Sequence, residues 1–286
     1  MSTKRVFFDF WRVTREGGAP PFATLLESAL AIVDLPRRVI SIGAYPVRFE
    51  IIEHADGFWT GEITKFRDDV VPNRASLRAL KTPIRLRRDE STTEDTAFGY
   101  HVASNTLVTQ ANHFGSSAGQ IVDYFAELLR ETRPIFPEPI LSQEGWARLD
   151  GLSRITKFVY AFVVPPRLTP QAAADMSVEQ TIGIVRHLGG RRVRVEVSVG
   201  HSADGLAKSV INRAARVIGA LVPSGRRKPT LEVSGIGEDD EREVFDLLEY
   251  RIRRYVDIEI VRRRLPYARR KNALKRAFRA AVDDLS

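Results

Sequence analysis

Hydrophobic and polar positions alternate with a period of two over much of the first 140 residues, a pattern that predicts β-strands. The first such stretch, RVFFDFWRV, is apolar and aromatic on both faces, so we expect a strand in the middle of a sheet. Two later alternating stretches flank Asp56-Gly57, which is a typical hairpin turn. Further strands are predicted in PIRLRR, TAFGYHVA and TLVTQANH.

Two stretches of the same half carry apolar residues at helical spacing. The first helix is predicted after two prolines, with Phe22, Leu25, Leu26, Ala29, Ile32 and Val33 on its apolar face. The second is SAGQIVDYFAELLRE, with a serine as N-cap and an apolar face of Ile121, Val122, Phe125, Leu128 and Leu129. The order of strand, helix, several antiparallel strands and helix predicts an α+β domain.

At 286 residues the chain is long enough for two domains of about 140 residues each. The proline-rich sequence TRPIFPEPILSQEG predicts either a boundary or an extended strand that joins the domains. We place an N-terminal α+β domain at residues 1–140 and a basic C-terminal α+β domain at residues 141–286. Each is expected to be a mostly antiparallel sheet packed with helices.

The second half repeats both patterns. Strands are predicted in SRITKFVYAFVVPP, RRVRVEVSVG, TLEVSGI and YVDIEIV. Helices are predicted near residues 178–187, over residues 204–221, in EDDEREVFDLLEY and at the basic C-terminus.

The composition excludes several classes of protein. The chain has no cysteine, which rules out disulfides, thiolate nucleophiles and cysteine-ligated metals and favours a reducing cytoplasm. The longest apolar run, FVYAFVV, is far shorter than the ~20 residues that span a bilayer. The charged N-terminus lacks the apolar core of a secretion signal. We therefore expect a cytoplasmic protein without membrane insertion.

Charge is divided unevenly along the chain. Residues 1–140 contain 17 basic and 18 acidic side chains, whereas residues 141–286 contain 27 and 18. Such asymmetry indicates a polyanionic partner, and arginine, which makes up 36 of the 44 basic residues, suits bidentate phosphate contacts. A high-GC genome would produce the same arginine bias without any functional reason.

Nine of the eighteen residues from 262 to 279 are basic. On a helical wheel an apolar arc can dock on the domain, and its members are Leu274, Ala277, Phe278, Ala281, Val282 and Leu285. The outward positions are Arg269, Lys275, Arg276 and Arg279. A solvated amphipathic helix is one interpretation, but the run contains no acid before Asp283 that could form ion pairs one turn away.

A nucleic-acid contact is the second interpretation, and other basic stretches could join the same surface. The predicted contacts are Lys208, Arg213, Arg216, Arg226, Arg227, Lys228, Arg262, Arg263, Arg264, Arg269, Arg270, Lys271, Lys275, Arg276 and Arg279. If ~5 phosphates were neutralised, the logarithm of affinity would fall against the logarithm of salt concentration with a slope near −4.5.

No catalytic, metal or cofactor signature is complete. The five histidines are scattered, without the i, i+4 spacing of a helical metal site. Asp257 and Glu259 fall on one face of a strand, where they could bind magnesium as in a nuclease or pair with the surrounding arginines. The stretch VEVSVGHSADGLAKSV is similar to a phosphate-binding loop, but two residues separate Gly205 from Lys208, which favours an ordinary strand-to-helix turn.

Several stretches resemble a known family. In the N-terminal half they are PFATLLESAL, FEIIEHADGFWTGEITKFRDDVVPNRASL and QANHFGSSAGQIVDYFAELL, and the second half has a similar order of elements. The chain resembles the phage-exclusion DNA-binding proteins typified by the lambda Rex A protein, and related uncharacterised bacterial proteins. The resemblance implies a two-domain homodimer that binds double-stranded DNA with little sequence preference, and it transfers no individual contact residue.

The sequence therefore favours a non-enzymatic DNA-binding protein of an anti-phage defence system. Two other functions stay open. One is a metal-dependent nuclease, and the other is a scaffold that recruits a separate effector protein, encoded nearby, through its basic surface.

Overall fold

The structure is a computed structural model, and it describes residues 2–15, 18–67, 71, 73–76, 78–87, 89–133, 135–163, 185, 187, 192–200, 204–209, 211, 230–237 and 239–285. Over these residues the fold is α+β, and all strand pairs are antiparallel. The described helices are α1 (Phe22–Leu30), α2 (Ala118–Leu128), α3 (Gln143–Asp150) and α4 (Tyr267–Arg279). The strands are β1 (Thr3–Arg15), β2 (Ile40–Ile42), β3 (Tyr45–Ala55), β4 (Phe58–Arg67), β5 (Asn73–Ser76), β6 (Ala79–Pro83), β7 (Thr92–His101), β8 (Thr106–Gln110), β9 (Ile135–Pro139), β10 (Leu152–Val163), β11 (Arg192–Ser198), β12 (Thr230–Gly237), β13 (Arg242–Asp246) and β14 (Arg253–Glu259).

The strands form two main sheets. The larger has eight strands in the order β14-β1-β8-β7-β4-β3-β2, with β9 also paired to β1. The smaller has the order β11-β10-β12-β13, and β5 pairs with β6 alone. Since β1 pairs with β14, β8 and β9, the prediction of a central N-terminal strand is confirmed.

Helices cover both faces of the larger sheet, and this explains why β1 is apolar on both sides. Trp11 and Val13 belong to the core that packs against α1 and α2. Phe8 and Phe10 belong to a second core, which packs against α4. A strand that is buried on both faces loses the usual alternation of apolar and polar residues.

Two local predictions are confirmed in detail. Asp56 and Gly57 join β3 to β4 with φ angles of 55° and 70°, the left-handed backbone that a tight hairpin turn requires. Ser117 caps α2 by accepting a hydrogen bond from the backbone N–H of Gln120, whose side chain accepts one from the N–H of Ser117 in return.

The C-terminal end of the chain returns to the larger sheet. The strand β14 pairs with β1 from Thr3 opposite Glu259 to Asp9 opposite Arg253. The proline-rich segment forms β9 on the same strand, so its interpretation as a strand is confirmed. The division at residues 140 and 141 stays a prediction, but residues 253–285 pack with the N-terminal sheet rather than with the smaller one.

Three sequence predictions are wrong. The helix α1 ends at Leu30, which leaves Val33 82% exposed. The stretch PIRLRR begins at Pro83, the last residue of β6, and its described residues 84–87 form no strand. The stretch EDDEREVFDLLEY forms β13 and a 3₁₀ turn instead of a helix, because pairing with β12 buries Phe245 and leaves Val244 half exposed. The helices expected over residues 178–187 and 204–221 lie mostly outside the described residues.

Candidate nucleic-acid interface

The positive charge is concentrated in the part of the chain that returns to β1. Residues 253–286 contain eleven basic and four acidic side chains, whereas residues 141–252 contain sixteen and fourteen. Most of the net charge of +8 therefore belongs to the last 34 residues. Because β14 and α4 pack on the larger sheet, the basic surface lies beside the N-terminal half of the chain.

The helix α4 is held on the sheet by an apolar face. Ala273, Leu274 and Ala277 are buried in one core with Phe8, Phe10 and Val108, among others. The backbone of β7 comes close at Gly99, where an added Cβ would lie 2.5 Å from Leu274 Cδ2. The ring of Phe278 lies 4.9 Å from that of Phe58, centroid to centroid. Of the predicted apolar arc, Val282 is the exception, at 47% exposed.

Three of the predicted contact residues are neutralised by acids of the protein itself. Arg269 donates to Glu259 of β14, Arg270 to Glu62 of β4, and Lys271 to Glu53 of β3. Glu62 and Glu53 lie about two hundred residues away in the sequence and Glu259 lies ten residues away, so the charge run has acidic partners on other elements although it has none within a helical turn. The Arg269 and Lys271 pairs are partly exposed, and such pairs contribute little to stability.

The Arg270 pair is different because it is buried. The side chains of Arg270 and Glu62 are 6% and 12% exposed, and Asp95 lies 4.0 Å from the same guanidinium. Burial raises the pKa of the Glu62 carboxyl, while the attraction of Arg270 acts in the opposite direction. Arg270 therefore fastens α4 to β4 and is not exposed to an external phosphate in this structure.

Six other predicted residues keep their charge uncompensated. They form no ion pair or side-chain hydrogen bond within the described chain, and they are Arg262, Arg263, Arg264, Lys275, Arg276 and Arg279. Lys275 is half-buried and the other five are exposed. We call these six residues the unpaired basic set.

The first half of this set forms a tight turn between β14 and α4. Val261 and Arg264 exchange two backbone hydrogen bonds of 2.9 Å, so Arg262 and Arg263 occupy the tip. Their φ angles are 47° and 64°, in the left-handed region that glycine and asparagine tolerate best. Two consecutive arginines are therefore held in a strained backbone that presents their side chains to solvent.

The remaining predicted contacts do not join this set. Lys208 pairs with Asp150 of α3 at 2.6 Å, next to the smaller sheet. Arg213, Arg216, Arg226, Arg227 and Lys228 lie outside the described residues.

The acids of β14 pair with arginines, as one of the two interpretations predicts. Asp257 lies 3.3 Å from Arg5, and Glu259 accepts from Arg269. Over the described residues, no group of three histidine, aspartate or glutamate side chains could hold a metal ion. No described helix has the length and hydropathy needed to cross a lipid bilayer.

Comparison with known proteins does not assign the chain to a family. The chain matches no protein-family model, and a search of curated proteins finds no match.

Proposed function

We propose that this protein binds double-stranded DNA without sequence specificity and acts in phage exclusion as a cytoplasmic homodimer. The observation that carries DNA binding is the unpaired basic set, six cations on the Arg262–264 turn and on α4 that have no acidic partner among the described residues. Like charges that neighbour one another along the turn and along α4 repel, and the phosphates of a duplex would relieve the repulsion.

The backbone of the turn supports the same proposal. A left-handed residue with a side chain costs about 1–2 kcal/mol relative to the ordinary helical region, and glycine avoids that cost. Arg262 and Arg263 keep this strain at an exposed tip of the turn. Strained residues of this kind are typical of functional sites.

The phage-exclusion role rests on the resemblance of the sequence to the Rex A family. A plaque assay in a host that expresses the protein tests it, and loss of both DNA binding and phage exclusion in one variant would connect the two activities.

Fluorescence anisotropy of a labelled duplex over a salt series is the direct test of DNA binding. Six phosphate contacts predict a slope of about −5.4 for the logarithm of affinity against the logarithm of salt concentration. Replacing Arg262, Arg263 and Arg264 by alanine removes three contacts and should make the slope shallower by about 2.7.

A control with the same change of charge separates a specific surface from net charge. Arg37, Lys81 and Arg85 are exposed, form no ion pair within the described chain, and lie outside β14 and α4. Their triple alanine variant should keep the wild-type slope. Equal losses in both triple variants would reduce the effect to net charge, and no binding of the wild type at low salt would overturn the proposal.

The same samples test the nuclease alternative. Magnesium is added, and the DNA is run on a denaturing gel. Cleavage that is lost in Asp257→Ala would favour a metal-dependent nuclease. If the wild type neither binds nor cleaves DNA, a scaffold that recruits an acidic effector protein becomes the better interpretation of the basic surface.

A further inference from the structure

The strand β14 is an edge of the larger sheet, and its outer side is unoccupied in the described structure. The carbonyl of Phe7 accepts from Ala111 next to β8, so the polar backbone groups of Phe7 point away from β14. Those of Tyr255, opposite Phe7, must then point to the outer edge, because paired residues alternate in antiparallel ladders. The Ile260 N–H donates to the Ser2 carbonyl of the neighbouring chain segment, so even-numbered residues of this strand face β1 and odd-numbered ones face outward.

The outward backbone groups belong to Arg253, Tyr255, Asp257 and Glu259. The Arg253 carbonyl accepts a hydrogen bond of 3.0 Å from the guanidinium of Arg254. No described residue bonds to the outward groups of Tyr255 or Asp257. An open edge of this kind is ready to pair with another strand.

The side chains along the edge are also incompletely covered. Tyr255 is 55% exposed and Phe7 is 39% exposed, and their ring centroids lie 6.0 Å apart. Both rings lie on the face opposite α4, since Val256 and Ile258 are on the α4 side. An exposed aromatic pair beside an open strand edge is typical of a surface that another protein covers.

The order of charges along β14 favours a second copy of β14 as the strand that pairs with this edge. The strand is basic at its beginning, at Arg253, and acidic at its end, at Asp257 and Glu259. The neighbouring strand β1 places a residue of opposite charge beside each of these positions, with Asp9 opposite Arg253 and Arg5 opposite Asp257. A second antiparallel strand with the same order as β14 itself would continue the alternation of charge.

We infer that two copies of this chain pair through β14 about a two-fold axis at Tyr255, so that their larger sheets become continuous. Arg253 then lies opposite Asp257 of the second copy, and Arg251 opposite Glu259 of the second copy. The two Tyr255 side chains face each other and cover the exposed aromatic pair. An axis at Arg253 or at Asp257 would instead place like charges opposite each other, which is destabilising.

This inference rests on the proposed function, which includes a homodimer, and it adds which surface forms the dimer interface. A two-fold axis at a shared sheet edge runs perpendicular to the sheet, so both α4 helices lie on the same face. The outward cations of α4 from the two copies, Lys275, Arg276 and Arg279, would then lie on the same face, whereas the aromatic residues lie on the other.

A cysteine crosslink tests both the edge and its register, since the natural chain has no cysteine. Hydrogen-bonded residues opposite each other have Cα atoms about 5.5 Å apart, within the range that a disulfide spans. Tyr255→Cys should therefore form a dimer under mild oxidation that reducing agent reverses. Asp257→Cys should crosslink far less, because the two copies of that position are four residues apart in register. Preferential crosslinking at position 257 would overturn the inference.

Light scattering on the full chain without DNA is the second test. The wild type should show twice the chain mass of 32.2 kDa. Asp257→Arg turns two attractive pairs into repulsive ones and should raise the dimer dissociation constant about tenfold. Glu27→Arg, the same charge change on the exposed side of α1, should leave it unchanged. A monomeric wild type would overturn the interface even if it binds DNA, whereas a dimer that fails to bind duplex would overturn only the proposed function.

Discussion

The buried pair of Arg270 and Glu62 gives a sharp test of how α4 is held. In Arg270→Met the apolar stem is kept, but the Glu62 carboxylate stays buried without its cation. Removing one partner of a buried ion pair costs about 3–5 kcal/mol, a large part of the 5–15 kcal/mol that stabilises a typical domain. We therefore expect the midpoint of urea unfolding, measured by circular dichroism, to fall strongly.

Two comparisons make the expected value specific. The double variant Arg270→Met with Glu62→Met removes both charges, so it should recover most of the lost stability, because apolar replacement of a whole buried pair is often neutral. Arg269→Met breaks an exposed pair on the same helix and should cost at most about 1 kcal/mol. If Arg270→Met costs no more than Arg269→Met, the pair does not fasten the helix, and Arg270 would return as a candidate phosphate contact.

Three further predictions follow from single positions. Burial raises the pKa of the Glu62 carboxyl above 4.5, so the contribution of this group to stability is present below that pH and is lost as the pH rises. The unfolding free energy of the wild type, relative to that of Glu62→Gln, should therefore fall from pH 4.5 upward. Leu274→Ala should cost about 2–5 kcal/mol in urea unfolding, whereas Val282→Ala should cost less than about 0.5 kcal/mol because Val282 is half exposed. Arg263→Gly should raise the melting temperature, because glycine adopts the left-handed backbone without strain. The same variant should bind the duplex more weakly in the anisotropy assay. An unchanged affinity would show that the strained residue does not contribute to DNA binding.

The elements that the sequence predicts correctly depend on neighbours in the chain. A left-handed turn needs only Asp56-Gly57 between two alternating stretches, and the cap of α2 needs only Ser117 and Gln120 at the right spacing. The basic character of residues 262–279 and the apolar arc of α4 are also local, and both are present in the structure.

Long-range pairing decided the rest. Nothing near β14 in the sequence indicates that it lies beside β1, and that pairing moves the basic segment to the larger sheet. The acids that neutralise Arg270 and Lys271 lie about two hundred residues earlier, so local spacing cannot separate those residues from the exposed Arg276. The stretch around Phe245 has helical spacing, but the free edge of β12 offered it backbone partners as a strand. Sequence patterns determine which face of an element is apolar, whereas the tertiary structure determines what that face and its charges meet.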